Sequence, residues 1–186
     1  MAIAMSIGAL GATALFLPTL AAAADGVEVS GIRLTPATDG DSFLLSADFA
    51  LNLPARLEDA VNKGVVLYFL LEVELFEPRW YWWDEKLAST TLTYRLSYHA
   101  LTRQYRLMAG GVQQQFVDLG DALRALGTLR DWRIVDAERI RYGATYQGQV
   151  RMRLDNSQLP KPFQLTAMTN KDWTLQAEWK RFEFKP

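Results

Sequence analysis

The chain has 186 residues, with 20 Lys+Arg against 21 Asp+Glu and a pI near 5.9. That balance excludes a protein built mainly to hold nucleic acid, whose footprint is a strong basic excess. A hydrophobic fraction of 49% with 12% aromatics excludes wholesale disorder and suffices for one core.

In chain order, residues 1–24 carry no charged side chain, and Ile3–Leu17 is a short apolar run. Pro18 follows, then Ala21-Ala22-Ala23-Ala24. Small residues at Ala22 and Ala24 fit an A-x-A cleavage site before Asp25, so the segment reads as a signal peptide. An uncleaved anchor is the competing reading. The lack of Lys or Arg ahead of the apolar run leaves open a start upstream. Cleavage leaves residues 25–186, a one-domain length. The chain has no Cys, hence no disulfide and no lipid-attachment thiol. The expectation is a secreted periplasmic protein with no stable membrane insertion after cleavage.

Val27, Val29, Ile32 and Leu34 predict a first strand with a bulge at Gly31. After turn residues Thr38–Asp41, Phe43, Leu45, Ala47, Phe49, Leu51 and Leu53 alternate with mostly polar neighbours, a strand with one buried face. Pro54 and Gly64 bracket a short helix near 54–63. Val65–Leu71 is apolar on both faces and predicts a central strand covered on two sides. Glu72 and Glu74 then point away from Val73 and Leu75, as if the strand runs out from under cover. After Pro78 comes Arg79-Trp80-Tyr81-Trp82-Trp83-Asp84-Glu85-Lys86.

Leu92, Tyr94, Leu96 and Tyr98 open a hairpin that turns near Ala100–Thr102, returns as Arg103–Met108 and ends at Gly110-Gly111. Gln113–Val117 is a further strand. Asp118 caps a short helix bearing Leu119, Leu123 and Leu126, with Gly127 after it. Trp132–Val135 and Tyr146–Leu154 are strands. Leu159-Pro160-Lys161-Pro162 is a stiff connector, and Trp173, Leu175, Ala177 and Trp179 alternate in a last strand. Eight or nine short strands with two short helices at connections predict a mainly β chain, an antiparallel β-sandwich of immunoglobulin-like general architecture.

Few residues point to chemistry. His99 is the only histidine, beside a hairpin turn, and no G-x-S-x-G exists. Without Cys/His clusters no metal or cofactor is expected, and no catalytic residue is assigned. Glu72 and Glu74 lie about 6.6 Å apart on one strand face, a spacing that paired carboxylates of glycoside hydrolases can use. Arg95, Arg103 and Arg106 on the next hairpin are candidate cross-strand partners for them, which makes a charge-matched sheet surface the plainer reading. Arg130, Arg133, Arg139, Arg141, Arg151 and Arg153 gather in one region that suits an anion, with interleaved acids diluting the field. Alternation puts Trp80 and Trp82 on one face and Tyr81 and Trp83 on the other. The first pair is expected to pack and the second to be a partner or ligand surface.

The hairpin Tyr94–Arg106 (YRLSYHALTRQYR), the RWYWWDE block, and Leu159–Phe163 (LPKPF) with Asp172-Trp173 resemble an uncharacterised secreted family of proteobacteria, a domain of unknown function. The resemblance implies no established activity and no catalytic residues. Its members' frequent position beside a nitrogen-regulation-type sensor histidine kinase implies a signalling link. The leading expectation is a non-enzymatic periplasmic module that binds an envelope protein, such as a sensor kinase's periplasmic domain, through Tyr81, Trp83, Glu72, Glu74, Arg95 and Arg106. A carbohydrate-binding or weakly hydrolytic module using Glu72 or Glu74 is the alternative. An eight-stranded outer-membrane barrel is a third reading, disfavoured by the helices and the VVLYFLL run.

Overall fold

The computed structural model describes residues 26–78 and 85–186, the side chains of Met168, Thr169 and Lys171 apart. The aromatic block Trp80–Trp83, with Tyr81 and Trp83, lies outside the described residues. Among the described residues, two antiparallel sheets are built from nine strands. β1 (Gly26–Pro36), β2 (Ser42–Asn52) and β7 (Thr128–Asp136) form one, in the order β1-β2-β7. β3 (Leu67–Glu77), β4 (Glu85–His99), β5 (Gln104–Ala109), β6 (Val112–Phe116), β8 (Tyr146–Leu154) and β9 (Lys180–Phe184) form the other. Its order is β6-β5-β4-β3-β8-β9. This is the expected β-sandwich, with a meander rather than crossed connections over β3–β6. Both sheets are open at their edges.

The alternating residues do what period two requires. Phe43, Leu45, Ala47 and Phe49 of β2 are buried, as are Leu67, Phe69, Leu71, Val73 and Leu75 of β3. A T-shaped contact of Phe43 with Phe184, centroids 5.1 Å apart, ties the two sheets together. Gly31 takes a left-handed φ of 60° at the register shift between Ser30 and Arg33, the expected bulge. Gly110 and Gly111 (φ 54° and 83°) make the two-residue turn between β5 and β6, whose tight form needs positive φ at both positions.

α1 (Ala55–Asn62) buries Leu57, Ala60 and Val61. α2 (Leu119–Leu126) is capped by Asp118, whose side chain accepts from the Gly120 N–H at 2.7 Å. Gly127 ends α2 for a reason the sequence does not show. Its φ is ordinary, but a Cβ there would sit 2.1 Å from the Phe49 carbonyl oxygen.

Three expectations need correction. The stiff connector at 159–162 instead opens a third helix, α3 (Lys161–Thr169), with Pro160 at its N-cap and Pro162 in its first turn. The last strand does not run from Trp173 to Lys180. Trp173 sits in a 3-10 turn, stacked on Phe163 at 4.8 Å. Residues 175–177 pair with the β8 backbone through an isolated bridge at Gln176 and two hydrogen bonds, and regular pairing resumes at Lys180. Finally, Val65–Leu71 is fully covered on one face only, because Tyr68 and Leu70 are half-buried on the other.

Candidate functional site

The outer face of the six-stranded sheet carries four of the six candidate residues, in two separate groups. On β3, Glu72 faces Thr91 of β4 and Arg151 of β8, and Glu74 faces Ser89 and Gln149. Glu72 accepts from Arg151 Nε at 2.6 Å and from Arg153 Nε and a terminal nitrogen at 3.2 Å. Glu74 accepts from Lys86 Nζ and Gln149 Nε2, each at 2.6 Å. The Arg151 guanidinium lies 4.3 Å from the Trp179 ring centre, a cation–π contact made just before β9 begins. Trp179 also borders a cleft of about 1050 Å³ shared with Val27, Leu51 and Leu123.

Electrostatics follow from these contacts. For Glu72, burial pushes the carboxyl pKa up, but the Arg153 and Arg151 hydrogen bonds and charges outweigh it and hold it below the ordinary range. For Glu74, the Lys86 hydrogen bond is the largest influence and the result is again a lowered pKa. A carboxyl acid catalyst needs the opposite, a raised pKa that keeps its proton near neutrality. Both carboxylates are ionised and occupied by donors.

The cross-strand partners expected for Glu72 and Glu74 are therefore not Arg95, Arg103 and Arg106. Arg95 faces Tyr68 on β3, Arg106 faces Ser97 on β4, and Arg103 lies in the β4–β5 turn at φ 52°. Nor do the six later arginines form one anion site: Arg139 stands in the 3-10 turn Ala137–Arg139, and the other five are paired. Arg130 pairs with Asp48, Arg133 with Asp136 and Arg141 with Glu77, while Arg151 and Arg153 share Glu72.

Arg95 and Arg106 instead border a small cavity of about 250 Å³ with Ser97, His99, Met108 and Gln113. Among the described residues, no group of three or more His, Asp or Glu could hold a metal ion, and no helix is long and apolar enough to cross a membrane.

At its four edges the molecule is uneven. β1 carries the Gly31 bulge, charged residues and Pro36. β7 has register shifts against β2 and Asp131 at φ 49°. β9 reads Lys-Arg-Phe-Glu-Phe. Such charges, prolines and bulges blunt edge pairing. β6, Val-Gln-Gln-Gln-Phe, has none of them and is exposed over its first four residues. Val112 at its start and Val117 just after it are 62% and 80% exposed.

Fold and surface together define a mainly β, two-sheet domain with a paired charge ladder and one unguarded strand edge. The chain belongs to the family described as Domain of unknown function (DUF4390), whose model matches residues 24–183. No curated protein and no solved structure matches it.

Proposed function

We propose that this chain is a non-enzymatic periplasmic module that binds a protein partner in the cell envelope by strand addition at β6. The β6 edge carries the reading. In a two-residue hairpin the closing pair, here Ala109 and Val112, is hydrogen-bonded, so Gln113 and Gln115 turn their backbone N–H and C=O groups away from β5. An extended segment of a partner can take those groups, with Val112 and Val117 supplying apolar contact. Export is supported by the uncharged, Ala-rich segment ending at Ala24, and a signalling partner by the family resemblance. The hydrolytic alternative is weakened by the lowered pKa of both Glu72 and Glu74.

The test places a photocrosslinking residue at Val117 in cells. A discrete protein adduct is expected, and Gln115→Pro should abolish it. That N–H bonds nothing in β5, so proline is tolerated by the fold while blocking an added strand. Adducts unaffected by Gln115→Pro, or matched by a crosslinker at Lys180 on the β9 edge, would sink the reading.

A further inference from the structure

The cavity beside β6 has a composition unlike the rest of the sheet face. The polar side chains on its face are Arg95, Arg106, His99, Ser97 and Gln113, and no carboxylate lines it. The arginines of the neighbouring ladder are both engaged with Glu72. Arg95 and Arg106 form no ion pair among the described residues, and Nε of Arg106 is buried without a hydrogen-bond partner. Arg106 is half-buried and Arg95 exposed, so an acceptor entering the cavity can complete the bonding of that N–H.

The strand register brings the donors together. Arg106 stands opposite Ser97, with Arg95 and His99 two residues to either side of Ser97 on the same face of β4. Arg106 is thus the diagonal neighbour of both, at about 7–8 Å, within reach of one small group held between long side chains. Gln113 stands opposite Met108 on the β6 side. His99 is oriented by the turn. Thr102 N–H donates to Nδ1 at 3.3 Å, which in the neutral ring leaves the proton on Nε2 as a further donor. Two arginine forks, an imidazole N–H, a hydroxyl and an amide make a donor set for an oxyanion. A volume of about 250 Å³ is below the range of drug-sized ligand pockets, so the occupant is small.

We propose that this cavity binds a small oxyanion, a carboxylate or a phosphate, through Arg106 and Arg95. The site adjoins the β6 edge through Gln113, but its two arginines lie on β4 and β5, so its binding test does not rest on strand addition.

The experiment is calorimetric titration of the purified protein with inorganic phosphate and, separately, with succinate, so that the two arms separate the sources. Saturable binding of one anion is expected. Arg106→Lys, which keeps the charge but removes the fork and Nε donor, should weaken it at least about tenfold. Arg95→Ala should weaken it as well. Arg103→Ala removes the same charge from the turn outside the cavity and should change affinity less than about twofold. If Arg106→Lys loses the native circular dichroism spectrum, Arg95→Ala decides. Absence of saturable binding up to about 10 mM of either anion, or equal weakening by Arg103→Ala, overturns the proposal.

Discussion

Glu72 is where the charge ladder can be tested most directly. Its side chain is 19% exposed, against 22% and 30% for Arg151 and Arg153. Two guanidinium charges near 4 Å at an effective dielectric of about 20 give roughly 4 kcal/mol each before desolvation. Burying the three charges offsets most of that, and a net contribution of about 1–2 kcal/mol remains. Glu72→Gln keeps the shape and removes the charge. It should cost that amount near neutral pH, less than breaking a fully buried pair, because both arginines retain water and Arg151 keeps Trp179. The pKa of Glu72 is lowered on folding from 4.5. Its contribution is therefore complete above the unfolded value and is lost as pH falls through the folded one. Urea unfolding of both proteins near neutrality and at about pH 3 reads the effect, with the gap between them closing in acid. A gap below about 0.3 kcal/mol near neutrality, or one unchanged in acid, would refute the reasoning.

Gly148 lies under the Phe182 ring, and a Cβ there would meet ring atoms at 2.1–2.6 Å. Gly148→Ala should cost about 1–3 kcal/mol by thermal unfolding and much less in a Phe182→Ala background, a coupling that a double-mutant cycle reads. Asp118→Ala, removing the α2 cap, should cost about 1 kcal/mol in urea without changing the slope. Burial pushes the Tyr94 phenol from 10.0 up to about 12. Its stabilisation is complete below pH 10 and lost as pH rises toward 12, so phenolate absorbance should show a late ionisation near pH 12 that Tyr94→Phe removes.

Strands whose one face is buried were readable because their side chains alternate cleanly. β2, the β4–β5 hairpin and β8 fall where period two puts them. α3 escaped because Phe163, Leu165 and Ala167 alternate like a strand, and Leu165 is exposed on the helix. The proline in its first turn was the available signal. At the end of the chain, Trp173–Trp179 alternates as a strand does, but the ladder slips between Ala177 and Lys180. At the candidate site, the outward direction of Glu72 and Glu74 was legible and their partners were not. Sequence proximity suggested the next hairpin, whereas the guanidinium donors come from β8, 79 and 81 residues away. The lack of counter-charges around Arg95 and Arg106 emerges only once the register is known.

The position of β7 has a consequence for how the molecule assembles. β3 to β6 pair with their sequence neighbours, and β1 pairs with β2, so these units need only short loops to close. β7 pairs with β2 across the whole of β3–β6, Thr128 opposite Asp48 and Asp136 opposite Ser42. Loop-closure entropy delays such long-range pairing until much of the chain is ordered. The meander is thus the natural nucleus, and the three-stranded sheet is completed late. Until β7 docks, one backbone edge of β2 stays unpaired, and an open strand edge in a partly folded chain is a template for aggregation.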